Sequence, residues 1–312
     1  MTKVTVTGGA GFIGSHAVDA YLAAGCEVRV FDNLATGSLD NLAHVSDQVN
    51  VIEGDLRDLD ALQSACTAAD VVLHLGALGS VPRSVADPRT THDVNATGTL
   101  NVLLAARDNS VGRVIFSSSS SVFGSNRHLP KTEDMTGSPL SPYAATKRIG
   151  EDYCRQFGDF YGLDVVVVRF FNVFGPRQAP DHAYAAVIPK FIDAALRGDP
   201  VEIHGDGLQS RDFTYVGNAI DGLMLLSDTA KVELAGQTFH LACGQSVSLL
   251  DILDELDSLV GSPIDRNHVA TRPGDIKDSL ADISKLCEQT GYHPEIDVAR
   301  GLEQTLAWFR ES

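Results

Sequence analysis

Short runs of β-branched and aliphatic residues alternate with longer stretches of helical periodicity through the first half of the chain. Val4-Thr5-Val6 is followed by a helical pattern from Phe12 to about Ala24, then by Val28-Arg29-Val30-Phe31. Val49 to Ile52 leads to a helical pattern at Leu59 to Ala65, and Val71 to Leu75 to one from about Thr91 to Arg107. Val114-Ile115-Phe116 precedes a helix from Pro142 to Tyr161, which runs into Val165-Val166-Val167-Val168. Strands that are apolar at nearly every residue suit a sheet with helices on both faces, because a face turned to water would show alternation. The pattern predicts an α/β fold, a Rossmann-type doubly wound parallel sheet with right-handed crossovers.

After Arg169 glycine and proline become frequent, as in Gly175-Pro176, Asp199-Pro200, Gly205-Asp206-Gly207 and Arg272-Pro273-Gly274. The helical patterns shorten to Ile188–Arg197, Val247–Leu259 and Val298–Phe309. The expected division is a nucleotide-binding domain over 1–170, to whose sheet 213–241 returns. A smaller mixed α/β C-terminal domain, built from 171–212 and 242–312, is expected to hold the substrate.

With 312 residues, 44% of them hydrophobic, the chain is long enough to bury a full core. Lys and Arg number 24 against 41 Asp and Glu, a formal charge of −17. That balance argues against a nucleic-acid partner, whose phosphates need clustered cations. It also means that an anionic substrate must meet local cationic residues. Five scattered cysteines suit neither a disulfide framework nor a metal site, so no metal is expected. No basic-then-apolar leader opens the sequence and no uncharged apolar run approaches the roughly 20 residues that span a bilayer. A cytoplasmic protein with no membrane partner is the expectation.

Candidate chemistry begins at Thr7-Gly8-Gly9-Ala10-Gly11-Phe12-Ile13-Gly14, where the first strand turns into the first helix. Glycines at 8, 11 and 14 allow a tight turn, close approach of backbone to a pyrophosphate, and helix–strand contact. The phosphates then sit on free N–H groups at the positive end of a helix. Asp32 closes the second strand, where a carboxylate accepts from both hydroxyls of an adenosine ribose and repels a 2′-phosphate. NAD rather than NADP is therefore expected. Asp55-Leu56, after the third strand, is placed to reach the adenine edge.

Tyr143 and Lys147 stand one helical turn apart, so their side chains share a face. A free phenol ionises near pH 10, roughly. A lysine ammonium and a positive nicotinamide ring both favour the phenolate, drawing the value toward working pH. Upstream, Ser117 to Ser121 follow a strand and offer a hydroxyl to a reacting oxygen. Each pattern alone is ordinary; together and in this order they point to oxidation and re-reduction of a hydroxyl.

These motifs resemble the extended short-chain dehydrogenase/reductase family, specifically its nucleotide-sugar 4-epimerases. The likeness extends through His74-Leu75, Asn95, Arg169 to Gly175, His204 to Gly207, Arg211-Asp212-Phe213 and Arg272 to Asp275. The resemblance implies NAD contacts at Gly8, Gly11, Phe12, Ile13, Gly14, Asp32, Asn33, Asp55, Leu56, Leu75, Tyr143 and Lys147. It implies a catalytic Ser119, Tyr143 and Lys147, with NAD kept through each turnover. It also implies a clamp for a UDP-sugar: Asn172 and Arg211 at the diphosphate and its ribose, Arg272 at a phosphate, Asp275 at the uridine ribose. The two arginines meet the charge problem noted above.

The segments Ala77 to Ser84 and Ala183 to Lys190, with Ser80 and Val187, resemble the subgroup acting on UDP-N-acetylhexosamines or their uronic acids. Relatives restricted to plain hexoses often carry a bulky aromatic at the place of Ser279. The favoured pair is UDP-GlcNAc/UDP-GalNAc, with UDP-Glc/UDP-Gal the other pair open to it. UDP-glucuronate 4-epimerisation and sugar 4,6-dehydration are the rival reactions, and a non-catalytic NAD-binding protein the rival class. A dehydratase's acid pair has no counterpart in Ser120 and Ser121. By the same resemblance a homodimer is expected, packed through the helices near 91–107 and 142–161.

Overall fold

The computed structural model describes residues 1–180, 186–228, 230–271 and 277–311. The first six strands are β1 Lys3–Thr7, β2 Glu27–Asp32, β3 Val49–Glu53, β4 Val71–His74, β5 Arg113–Ser119 and β6 Val165–Phe170. Among them run α1 Phe12–Ala23, α2 Leu59–Ala65, α3 Val81–Ala86, α4 Pro88–His92, α5 Gly98–Asp108 and α6 Pro142–Tyr161. Then come β7 Val173–Phe174, α7 Val187–Arg197, β8 Val201–His204, β9 Ser210–Arg211, β10 Thr214–Tyr215, α8 Val216–Leu226 and β11 Thr238–Leu241. The order closes with β12 Val247–Ser248, α9 Leu249–Val260, β13 Arg266–Val269, α10 Ser284–Thr290 and α11 Val298–Glu311.

β1 to β6 and β11 form one parallel sheet of seven strands in the order β11-β6-β5-β4-β1-β2-β3. The apolar runs explain why it is doubly wound. Side chains alternate across a strand, so Val71, Leu73, Ile115, Val166 and Val168 join a core with Ala17 and Val18 of α1 and Leu223 of α8. Their neighbours Val72, Val114, Phe116, Val165 and Val167 join a second core with Leu62 of α2, Leu103 of α5 and Phe157 of α6. This is the Rossmann-type architecture that the pattern predicts. β3 is the exception to the apolar rule because it is the edge strand, and Val51 remains 37% exposed.

Two helix starts differ from expectation by two residues or more. The helix expected from Thr91 begins at Pro88, where Asp87 accepts from Thr90 N–H, and carries a π-turn over Asp93–Thr97 before α5. The helix expected from Val247 begins at Leu249: Ser248 and Asp251 close a reciprocal capping box. Val247–Ser248 instead pairs antiparallel with β9. Beyond the large sheet, β8 and β13 pair in parallel under α7, α9 and α11, whose apolar faces pack together. The five cysteines are free thiols. Among the described residues no helix is long and apolar enough to cross a membrane.

Candidate active site

Strand order changes direction between β1 and β4, and the glycine loop leaves β1 at that point, the usual place for a ligand crevice in such a sheet. Gly8 takes φ +71° and donates its N–H to Phe31 O at 2.8 Å. A Cβ there would meet the Gly76 backbone at 2.7 Å, and one at Gly14 would stand 2.1 Å from Gly8 O. Only hydrogen fits at either position, which brings the first turn of α1 onto the loop. No side chain caps α1, and no acidic residue lies in its first turn. Its leading N–H groups are thus open to a phosphate beside Gly11, Phe12 and Ile13.

Asp32 binds the loop as well as facing the crevice: its carboxylate accepts from Ala10 N–H at 3.0 Å and Leu34 N–H at 2.9 Å. Ala10 O accepts in turn from Ser38 N–H and from the Asn41 amide at 2.9 Å. The segment after β2 is therefore folded over the phosphate loop. The motifs gave no sign of this contact, and Gly37, whose Cβ would meet Ala10 at 2.8 Å, is its trace in the sequence. Asn33 and Asp55 meet across the ends of β2 and β3, Nδ2 to Oδ2 at 3.0 Å. Asp55 also receives the Arg57 guanidinium at 2.7 and 2.8 Å, which holds its carboxyl well below the usual range. Leu56 is buried beneath Gly98, and Leu75 N–H donates to Thr7 O at 3.1 Å.

β5 carries Ser117 to Ser119 to the edge of the same crevice, and α6 starts opposite. Ser141 caps α6 by accepting from Ala144 N–H, with Pro142 in the first turn. Tyr143 follows at once, with the Ser119 side chain beside it. Burial pushes the phenol above its ordinary value and the Ser119 contact pulls it back. One turn on, Lys147 is 4% exposed; its Nζ donates to Ser117 O at 2.6 Å and lies 5.2 Å over the Phe116 ring. Burial lowers its pKa to about 8, and the Glu151 carboxylate opposes that shift. Asn95, in the π-turn, joins α6 to the loop after β4: Leu78 N–H donates to its Oδ1 at 2.8 Å, and its Nδ2 reaches Thr146.

Of the expected substrate residues, Ser80, Ser119, Asn172, Val187, Arg211 and Ser279 are among the described residues. Ser80 caps α3, its Oγ accepting from Arg83 N–H at 3.2 Å. Asn172 has φ +20° and is exposed between β6 and β7. Arg211 donates to Ser210 O at 2.8 Å, and Ser279 N–H donates to the same carbonyl at 3.1 Å, so β9 brings these two together. Val187 is the first residue of α7. Arg272 and Asp275 lie outside the described residues. Asp212, absent from the motif reading as a site residue, is fully buried and accepts from Cys243, Gly244 and Ala281 N–H. It anchors the backbone beside both Arg211 and Ser279.

A family model described as NAD dependent epimerase/dehydratase family matches residues 4–242. The chain belongs to that family. Its cofactor is NAD, and the glycine cradle, the uncapped α1 and Asp32 fit that molecule. The chain is 36% identical to the UDP-glucose 4-epimerase of Mycolicibacterium smegmatis, over 99% of this chain and 98% of that one. Among solved structures, the UDP-N-acetylglucosamine 4-epimerase of Methanobrevibacter ruminantium, in complex with UDP-N-acetylmuramic acid, is 42% identical. Its TM-score is 0.94, covering 99% of this chain and 98% of that one. The UDP-glucuronic acid 4-epimerase of Bacillus cereus, with UDP-glucuronic acid and NAD, is 31% identical with a TM-score of 0.92, covering 99% of both chains.

Proposed function

We propose that the protein is a UDP-sugar 4-epimerase whose favoured pair is UDP-GlcNAc/UDP-GalNAc. The observation that carries this reading is Ser119 set beside Tyr143, one helical turn from the buried ammonium of Lys147 that donates to Ser117 O, at the mouth of the NAD cradle. NAD supplies a hydride acceptor that returns what it takes. The chain's own residues handle the proton. Tyr143, as phenolate, removes the proton of the sugar 4-hydroxyl, and Ser119 orients that hydroxyl from the other side. Lys147 keeps positive charge beneath the pair, favouring the phenolate, and holds the nicotinamide ribose. After the 4-keto sugar turns over in the pocket, Tyr143 returns the proton to the oxygen as carbon 4 regains its hydride, so there is no net redox change.

Asn172 and Arg211 take the diphosphate end in this reading, with Arg272 and Asp275 completing the clamp. Ser80 and Val187 border the sugar. Ser279 is small and sits on a backbone pinned through Ser210 and Asp212, which leaves room for an N-acetyl group. The 42% identity to a UDP-N-acetylglucosamine 4-epimerase supports the same choice. Phe160 and Tyr161, 75% and 55% exposed at the end of α6, support pairing of two copies through α5 and α6; a monomeric mass in light scattering would contradict it.

The test is to incubate the purified protein separately with UDP-GlcNAc, UDP-Glc and UDP-GlcA and resolve the products by anion exchange. Conversion of UDP-GlcNAc to UDP-GalNAc toward a fixed ratio is expected. Turnover of UDP-GlcA alone would transfer the assignment to the uronic acid, and a 4-keto-6-deoxy product would replace epimerisation by dehydration.

A further inference from the structure

Behind Lys147 lies a second, fully formed polar cluster. Glu151, one turn further along α6, accepts from Arg169 Nε at 2.8 Å and Nη2 at 2.9 Å, and from Ser118 Oγ at 2.5 Å. All three side chains are buried. Ser118 and Arg169 are direct partners across the β5–β6 ladder, so one carboxylate ties both strands to α6. Gly150 makes the approach close enough, since a Cβ there would stand 2.4 Å from the Phe116 ring. The tie falls one residue before Ser119 and one turn after Lys147.

A buried ion pair of this kind is weak evidence for stability, because its desolvation offsets its attraction. Its placement points to a different use. Lys147 is buried with a carbonyl and a ring face as its contacts, and neither carries a full negative charge. The titratable groups around it are Tyr143, Glu151 and Cys154 on α6 and His74 on β4; Arg169 on β6 and, at 3.9 Å, Arg148 on α6 stand beyond Glu151. Burial keeps the Cys154 thiol and the His74 imidazole neutral. Glu151 is the standing anion of that set.

We propose that Glu151, clamped by Arg169 and Ser118, is a positioning residue: it fixes the depth of α6 against β5, and so the Ser119–Tyr143 contact, and supplies the buried negative charge that faces Lys147. The inference rests on the roles proposed above for Ser119, Tyr143 and Lys147. Two consequences separate. Loss of the strand tie disturbs the geometry of the reacting groups and lowers kcat with little change in KM. Loss of the charge makes the Lys147 ammonium easier to deprotonate, so the alkaline limb of the pH profile moves to lower pH.

Ser118→Ala removes the tie and leaves the ion pair, whereas Glu151→Gln with Arg169→Met removes both charges and keeps a hydrogen-bonding group for Ser118. In Ser118→Ala, kcat should fall about tenfold to a hundredfold, with KM for the UDP-sugar and bound NAD unchanged. In the double variant the alkaline limb should move acidward. So should the midpoint of the Lys147 signal in lysine-selective NMR, identified by its loss in Lys147→Arg. A Ser118→Ala protein with wild-type kcat, or a folded double variant whose Lys147 titrates where the wild type does, would overturn the proposal. If the wild type epimerises no UDP-sugar, the functional reading fails by itself, while the Lys147 titration still decides the role of Glu151.

Discussion

Thr7 Oγ1 lies 2.7 Å from Nδ1 of His74, and the direction of that hydrogen bond follows from its neighbours. On the far side of the ring, Nε2 faces Thr99 Oγ1 at 3.0 Å, and the Thr99 hydroxyl spends its hydrogen on Asn95 O at 2.6 Å. Nε2 is therefore the donor and Nδ1 the acceptor of the Thr7 hydroxyl, which itself accepts from Gly76 N–H at 3.2 Å. A neutral imidazole satisfies every group in this chain. It joins the phosphate loop, β4 and the helix carrying Asn95, beneath the crevice where the NAD cradle and Tyr143 meet.

Stability should therefore fall on mild acidification. Burial depresses the His74 pKa from 6.5 to about 3 and that of His240 to about 4. For each, the stabilisation is complete above the unfolded value and is lost as pH falls from 6.5 toward the folded value, since the unfolded chain takes the proton first. Asp212, raised to about 6 by burial, acts in the opposite sense and gains stability as pH falls. Two imidazoles against one carboxyl leave the unfolded state holding more of these groups' protons near pH 5, so their combined contribution to stability falls with pH there. Denaturation at stepped pH should show that slope, and His74→Gln should flatten it while costing about 1–3 kcal/mol at pH 7. A slope unchanged in the variant would refute the assignment to His74.

Gly14→Ala should abolish NAD binding without unfolding the chain. The added methyl carbon would stand 2.1 Å from Gly8 O and 2.8 Å from Gly9 Cα, both backbone atoms that have no side-chain freedom to yield. The loop must open, and the N–H groups of α1 then lose their aim at the pyrophosphate. Titration of the purified variant with NAD, followed by calorimetry beside the wild type, measures the effect; wild-type affinity would be incompatible with this cradle.

The glycine loop, Asp32 and the Tyr143/Lys147 pair are legible in the sequence because each depends on local order: a strand end, a helix start, one helical turn. The large sheet is legible for a similar reason, since burial on both faces writes apolar runs. What the sequence hides is set by partners far along the chain. β13 reads Arg-Asn-His-Val and looks like no strand, yet it pairs with Val201–His204, some sixty residues away. The π-turn at Asp93–Thr97 breaks the helical period so that Asn95 can reach Leu78. The Ser80 cap with Pro82, a start signal for α3, is masked by its likeness to a substrate motif. The carboxylate hub at Asp212 ties its own segment to two others, at Cys243-Gly244 and at Ala281, and has no local signature.

Tyr143→Phe should lower kcat by about 10²- to 10⁴-fold, the usual worth of a positioned proton-transfer group. The ring still fills its place beside Ser119, so NAD and the UDP-sugar should bind as before. Turnover rate with nucleotide and NAD affinities measured on the same preparation checks this. Near-normal turnover would remove Tyr143 from the chemistry and with it the proposed mechanism.

The sugar assignment turns on Ser279, and its surroundings make it a fair place to test. Its N–H is tied to Ser210 O, the next residue but one is held by Asp212, and Asp282 N–H donates to Lys131 O at 2.7 Å. A backbone fixed on both sides will not retreat from a larger side chain, so the pocket itself must shrink. Ser279→Tyr should therefore cut kcat/KM for UDP-GlcNAc by at least about tenfold, as expected when shape alone discriminates, and leave UDP-Glc turnover near the wild-type level. Equal losses on both sugars would mean that Ser279 supports the fold rather than the N-acetyl pocket. No loss on either would place the N-acetyl group elsewhere, with Ser80 at the cap of α3 the next position to enlarge.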